Sequence, residues 1–133
     1  MPELNNQNFN HLKIHTQYSI CEGAIKIENL KDFCKEKKIP CLGLSDTSNL
    51  CGALEFAENI SKVGTQPIIG TQIYFRFDDT TGLLPLIALN ENGYKKIIEL
   101  SSRSYLENDA LSDPHLDIKE LLIDTEGVSL LSG

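Results

Sequence analysis

Two histidines and a lysine alternate in the segment HLKIH, residues 11–15. On a β-strand successive side chains point to opposite faces, so His11, Lys13 and His15 would share one face of a sheet. Neutral imidazole is a common ligand of divalent metals, whereas a charged lysine has no lone pair and repels cations. This polar face could therefore be a metal site or the remnant of one, and the spacing alone leaves both interpretations open.

Alternating strand-like and helix-like segments would position this polar face. Short β-branched and aromatic runs predict strands, and apolar residues at intervals of three and four predict helices. Pro40 and Gly64 each follow a predicted helix, where such residues stop it. The predicted strands cover residues 10–15, 41–45, 67–77, 84–89 and 128–131, with a turn at 78–82, and the predicted helices cover 27–38, 50–63, 91–106 and 118–122.

The same spacing predicts which helical side chains face the core. They are Ile27, Leu30, Phe33 and Cys34 in the first helix, Leu50, Leu54, Ala57 and Ile60 in the second, and Tyr94, Ile97, Ile98 and Tyr105 in the third. The four cysteines form no CxxC pair, and buried reduced thiols are expected rather than a zinc site. These cysteines are Cys21, Cys34, Cys41 and Cys51.

Strand–helix–strand alternation predicts an α/β fold with a mainly parallel sheet and right-handed crossovers. The short runs are typical of a (β/α) barrel, but such a barrel needs roughly 250 residues and this chain has 133. The chain is therefore expected to form the front portion of a larger barrel. Its last predicted strand, 128–131, would leave an open sheet edge, and a homodimer through that edge is one expected outcome for the chain alone.

The charge of the chain argues against a nucleic-acid-binding surface. The formal net charge is −7, and the only basic cluster is KEKK, residues 35–38. Proteins that bind nucleic acid carry a basic face to neutralise phosphates, so direct DNA binding is not expected. No apolar run approaches the roughly 18 residues that span a bilayer, and the first ten residues lack a signal-peptide pattern. A cytoplasmic protein without membrane contact is expected.

Three segments in a fixed order carry a more specific pattern: HLKIHTQYSICEGA (11–24), GLSDTSNLCGALEF (43–56) and QPIIGTQIYF (66–75). Together with NENGYKKIIELSSRSY and the closing GVSLLSG, they resemble the PHP (polymerase and histidinol phosphatase) domain. The version most similar stands at the N-terminus of bacterial replicative DNA polymerase alpha subunits. The resemblance implies that residues 1–133 are the N-terminal part of a single PHP domain, a distorted (β/α)7 barrel that holds divalent metals at its strand ends.

The resemblance also assigns the metal-ligand positions of active family members to this chain. Retained or conservatively replaced ligands are His15, Glu22 and Asp46, whereas the positions that have lost their ligand are Lys13, Thr47, Gln72 and Leu83. Clustered divalent cations need imidazole and carboxylate ligands to offset their mutual repulsion. The resemblance therefore implies a degraded metal site with no bound metal, no cofactor and no catalytic residue, in which Lys13 pairs with Glu22 and Asp46 in place of the metal.

The function implied by the resemblance is that of a non-catalytic scaffold in DNA replication. The implied partners are the polymerase body of the same subunit and the proofreading exonuclease subunit of the replicase. The nucleotidyltransferase active site of the parent enzyme would lie outside these residues. The alternative is an active metal-dependent PHP phosphoesterase or auxiliary proofreading nuclease, which would need His15, Glu22 and Asp46 to hold metal. A free-standing interaction module is a third possibility, against which the open sheet edge argues.

Overall fold

The computed structural model describes residues 9–132, in which four α-helices alternate with seven short β-strands, so the predicted α/β fold is confirmed. In chain order the elements are α1 (Ile27–Lys37), β1 (Cys41–Gly43), β2 (Asp46–Thr47), α2 (Ala53–Ser61), β3 (Gln66–Ile68), β4 (Gly70–Phe77), β5 (Thr80–Ala88), α3 (Glu91–Leu106), β6 (Leu116–Asp117), α4 (Ile118–Leu122) and β7 (Val128–Leu130).

Two apolar clusters hold the helices against the strands. The first joins α1 and α2 to β1 and contains Ile27, Leu30, Cys34, Leu42, Leu44, Ala53, Phe56 and Ile60. The second joins α3 and α4 to β4 and β5 and contains Ile73, Phe75, Leu86, Ile97, Leu100, Leu116 and Leu121. Burial of this apolar surface is the main contribution to the stability of the fold.

Strand β4 lies at the centre of the larger sheet. It pairs antiparallel with β5 along its whole length. Its other edge pairs in parallel with β2 near the start of the strand and with β6 near the end. Strand β7 extends the sheet by antiparallel pairing with β5, and β1 pairs in parallel with β3 in a separate two-stranded sheet. The larger sheet is therefore mixed.

The prediction of a mainly parallel sheet is thus not confirmed, because β4 and β5 form a hairpin. Its turn occupies only Asp78 and Asp79, so β5 begins at Thr80, inside the predicted turn. A connection this short can join only antiparallel strands. The predicted strand 67–77 is divided at Ile69 into β3 and β4. The predicted strand 10–15 is reduced to an isolated parallel bridge between Ile14 and Leu44.

Several side chains predicted to face the core are exposed instead. The helical spacing predicts burial correctly for five residues: Ile27, Leu30, Cys34, Ile60 and Ile97. Five others that it predicts to be buried are exposed: Phe33, Leu54, Tyr94, Ile98 and Tyr105. The buried stripe of α2 runs through Ala53 and Phe56, and that of α3 through Leu100 and Ser104. Each helix therefore carries a wider apolar face than the described strands cover.

The cysteine prediction is right in part. Cys34 is buried in the first core cluster, and burial raises the pKa of its thiol. Cys41 is half-buried, whereas Cys21 and Cys51 are exposed, and all four thiols are free. The two exposed cysteines lie in the irregular segments that precede α1 and α2, where no apolar layer covers them.

Candidate functional site

The register of the strands decides which of the predicted site residues share a face. Thr47 lies directly opposite Gln72, and Leu83 lies opposite Tyr74 on the next strand. Because side chains alternate along a strand, Thr47, Gln72 and Leu83 lie on one face of the sheet and Asp46 lies on the other. The sheet therefore brings together three of the positions predicted to have lost a ligand and separates them from Asp46, which was predicted to be a retained one.

A chain of direct hydrogen bonds joins three of the predicted site positions. The Nε2 atom of Gln72 donates to Oγ1 of Thr47 over 2.7 Å. The same hydroxyl donates to Oε2 of Glu22 over 2.5 Å. Gln72 is only 2% exposed, whereas Glu22 lies at the surface. These hydrogen bonds therefore connect the interior of the sheet to the loop formed by residues 16–23.

Asp46 anchors the same loop from the other face. Its Oδ1 accepts a hydrogen bond from the backbone N–H of Thr16 over 2.6 Å and from the hydroxyl of Ser19 over 2.7 Å. Its Oδ2 accepts from the hydroxyl of Thr16 over 2.7 Å. Asp46 is fully buried, so these neutral donors replace its water shell. Both carboxylate oxygens are thereby used within the protein.

Further contacts fasten the 16–23 loop to the start of α2. The phenol of Tyr18 donates to Oε2 of Glu55 over 2.6 Å, and this hydrogen bond raises the pKa of the tyrosine. Nδ2 of Asn49 donates to the backbone oxygen of Tyr18 over 2.8 Å. The ring of Tyr18 lies against Gly52, where an added Cβ would come within 2.6 Å of the ring. The loop is therefore held by its own side chains and by α2.

The sequence interpretation missed the residues that make these contacts, which are Thr16, Tyr18 and Ser19 in the loop and Asn49 before α2. They contribute hydroxyl and amide groups, which are too common in turns to be recognised as a site from one sequence. The sequence feature that indicated this loop was the run Thr-Gln-Tyr-Ser at residues 16–19, immediately after a predicted strand. Such a run is typical of side chains that satisfy backbone groups in a tight loop.

The predicted pairing of Lys13 with Glu22 and Asp46 is not found. Lys13 is exposed, and within residues 9–132 it takes part in no ion pair. The physical reason is that both carboxylates already accept hydrogen bonds from neutral groups. Glu22 accepts one from Thr47, and Asp46 accepts them from Thr16 and Ser19. A buried carboxylate satisfied by neutral donors does not require a cation.

His15 and Lys13 line a hollow of about 330 Å³ together with Glu22. The Nδ1 atom of His15 is buried and has no hydrogen-bond partner among the described residues. His11 is exposed, and its ring makes an edge contact with Phe9. The alternation of His11, Lys13 and His15 therefore places only the last two at the candidate site.

The side chains present do not fit a cluster of divalent cations. Hydroxyl, amide and aliphatic groups occupy the positions of Thr47, Gln72 and Leu83, and none of them supplies the charge that clustered cations need. Across residues 9–132, no three histidine, cysteine or carboxylate side chains come together as a possible metal site. In the same part of the chain, no helix combines the length and apolar character needed to cross a bilayer.

Known proteins similar in sequence are replication enzymes. The chain is 37% identical to the DNA polymerase III subunit alpha of Caulobacter vibrioides, an alignment that covers 100% of this chain and 12% of the relative. It is 37% identical to the corresponding subunit of Rickettsia felis (92% of this chain, 10% of the relative) and 36% identical to that of Thermus aquaticus (94% and 11%). The chain thus spans about a tenth of the length of the curated relatives it matches.

Solved structures with a similar fold are more distant in sequence. One is a putative metal-dependent phosphoesterase from Bifidobacterium adolescentis, with a TM-score of 0.55 and 16% identity over 73% of this chain and 32% of that chain. Another is an amidohydrolase from Chromobacterium violaceum, with a TM-score of 0.59 and 15% identity over 73% and 33%. At this identity the likeness concerns the fold alone. The family model of the PHP domain matches residues 11–133, and the chain belongs to the PHP domain family.

Proposed function

We propose that this chain is the PHP segment of a DNA polymerase III alpha subunit and takes part in DNA replication as a non-catalytic scaffold in the cytoplasm. The identity of 37% along the whole chain supports the assignment to that subunit. In this proposal residues 1–133 form the N-terminal part of a single PHP domain. Polymerase chemistry belongs to other parts of the subunit, since the chain matches only about a tenth of its relatives.

The partly exposed face of the larger sheet supports the proposed barrel. The second core cluster, with α3 and α4, lies against the face that carries Ile73 and Leu86. The opposite face carries Tyr74 and Leu83, which are only partly buried among residues 9–132. We propose that further strands of the same polypeptide close the sheet into a distorted (β/α)7 barrel and cover this face. The polymerase body of the same subunit is then a partner of the closed domain.

The observation that carries the non-catalytic role is the direct bonding of Gln72, Thr47 and Glu22 to one another. A hydrolytic metal centre needs carboxylate and imidazole ligands that leave room for the ions and for an activated water. Here the side chains at three predicted ligand positions bond to each other instead. The net charge of −7 suits contacts with proteins rather than with DNA, and we propose the proofreading exonuclease subunit as a second partner.

One observation favours the alternative function, a metal-dependent phosphoesterase or auxiliary proofreading nuclease. The unpartnered Nδ1 of His15 and the carboxylate of Glu22 line the same hollow, and both groups could bind a cation. A metal there would still need further ligands from outside residues 9–132. The scaffold is the better supported function because Asp46 is fully buried and satisfied by neutral donors.

A hydrolysis assay on the full-length subunit separates the two functions. We expect no Mn²⁺-dependent hydrolysis of bis(p-nitrophenyl) phosphate above the buffer rate, and no change on His15→Ala. The matched control is His11→Ala, which removes an exposed imidazole away from the hollow. Hydrolysis that depends on Mn²⁺ and is lost in His15→Ala but kept in His11→Ala would establish the phosphoesterase instead.

A further inference from the structure

We propose that the hydrogen-bond chain Gln72–Thr47–Glu22 fastens the 16–23 loop to the end of β2 and the start of β4, so that the loop is held in place without a metal ion. The inference rests on the proposed function for treating these three residues as ligand positions of active family members. It goes further by assigning them a present role. The role lies in positioning the loop, and none of the three is assigned a catalytic step.

The direction of each hydrogen bond makes Thr47 the essential link. The amide of Gln72 can donate to the Thr47 oxygen, and the single hydroxyl proton of Thr47 is then directed to the Glu22 carboxylate. A hydroxyl can accept and donate at once, whereas a valine of the same shape can do neither. Serine would keep the link. Bonds to a carboxylate are the stronger kind, so the contact with Glu22 is expected to contribute most.

The geometry leaves no need for a cation between these groups. The hydroxyl of Thr47 donates directly to the carboxylate of Glu22. Lys13, the only lysine of the hollow beside His15, makes no ion pair with any described carboxylate. The loop is closed from the other face by Asp46, so the strand ends hold it at two points.

Amide hydrogen exchange of the loop in the full-length protein tests this role. The backbone N–H groups of Ser19, Glu22 and Gly23 are bonded within the loop and report its opening. We expect Thr47→Val and Glu22→Ala each to speed their exchange by a factor of about 5 to 30, as loss of one or two hydrogen bonds implies. Thr47→Ser should stay within about twofold of the parent protein, because it keeps the hydroxyl.

Two matched controls remove the same groups elsewhere. Thr80→Val and Glu58→Ala change exposed residues whose side chains make no hydrogen bond or ion pair within residues 9–132, so loop exchange should not change. Since Glu22 is exposed, Glu22→Ala should fold and tests the hydrogen-bond chain even if Thr47→Val does not fold. Loop exchange within about twofold of the parent protein in Glu22→Ala and in a folded Thr47→Val would overturn the proposal.

A chelator provides the second arm of the experiment. We expect EDTA, or added MnCl₂, to leave loop exchange in the parent protein unchanged. Exchange that rises about fivefold or more in EDTA and is restored by Mn²⁺ would show that an ion holds the loop, and would overturn the inference. The hydrolysis assay tests the proposed function, and its outcome is independent of the exchange measurement. A hydrolytic activity with chelator-insensitive loop exchange would remove the proposed function and leave the hydrogen-bond chain in place.

Discussion

At the scale of single residues, Asp46 illustrates why identity of residue type does not fix a role. The resemblance placed it among the retained metal ligands, whereas the structure uses both of its oxygens to bind Thr16 and Ser19. Register explains the difference, since Thr47 and Gln72 face one side of the sheet and Asp46 faces the other. Strand register depends on which residues pair across the sheet, and one sequence does not contain that information.

Asp46→Asn should be strongly destabilising. The amide has one oxygen where the carboxylate has two, and its NH₂ group would meet the hydroxyl donors of Thr16 and Ser19. We expect a loss of about 2–4 kcal/mol in the free energy of unfolding, measured by urea denaturation. Asp79→Asn, in the exposed β4–β5 turn, is the matched control and should have little effect. Equal stabilities for the two variants would contradict the anchoring role of Asp46.

Ser48 is a residue at which the chain carries local strain. Its φ is 57°, in the left-handed region, and its Oγ is buried without a partner among the described residues. Ser48→Gly removes both costs but makes the unfolded chain more flexible, so we expect a net gain of about 1 kcal/mol. The denaturation midpoint measures it. Ser48→Ala, which removes only the hydroxyl, should gain less, and a glycine variant less stable than the parent would disprove this account of the strain.

At the scale of elements, the longest patterns were predicted best. Helices α1, α3 and α4 begin and end within one residue of the predicted limits, because apolar spacing, Pro40 and the Asn90 cap agree there. The strands were harder to bound. The segment before Thr16 makes backbone hydrogen bonds to Gly43 and Ser45 but forms only one bridge, between Ile14 and Leu44, so it does not extend into a regular strand. The extent of such pairing depends on residues distant in sequence as well as on local propensity.

The packing of α3 on the segment before β7 depends on Gly93. A Cβ at this position would collide with the backbone oxygen of Gly127. Gly93→Ala should therefore destabilise the fold by about 1–3 kcal/mol, even though alanine favours helix by about 1 kcal/mol. Ser102→Ala, at an exposed position of the same helix, is the control and should be neutral or slightly stabilising. Thermal unfolding of both variants provides the comparison; a more stable Gly93→Ala would show that the two segments can separate at no cost.

At the scale of the whole molecule, the alternation of elements and the order of the motifs predicted the α/β fold and the family. Whether neighbouring strands run parallel or antiparallel was not predictable, because the short turn at Asp78 and Asp79 makes β4 and β5 antiparallel and β7 then pairs antiparallel with β5. The exposure of the apolar residues Leu54 and Tyr94 was not predicted either. Their spacing is that of a buried helical face, and the surface that would cover it is not formed by residues 9–132.

The open edge of β7 leads to a prediction about self-association. Among residues 9–132, Val128–Leu130 pairs with β5 on one side only, and unpaired strand edges bind other strands. We expect this chain, expressed alone, to form a homodimer that dissociates on dilution, as measured by light scattering at several concentrations. Residues 127, 129 and 131 alternate as the positions bonded to β5, so the N–H of Leu130 faces the open edge. Leu130→Pro removes this donor and should weaken the association, with Ser132→Pro, beyond the strand, as the control. A monomer at every concentration would mean that the edge is already protected.

The central claim is that the strand ends hold the 16–23 loop without a catalytic metal, and metal content tests it most directly. The protein is purified without chelator and without a histidine tag, incubated with Mn²⁺ or Zn²⁺, desalted and examined by elemental analysis. We predict that less than about a tenth of an equivalent is retained, because Thr47, Gln72 and Leu83 supply no imidazole or carboxylate and Asp46 is already bonded by Thr16 and Ser19. One equivalent or more, lost on His15→Ala or Glu22→Ala, would contradict the claim.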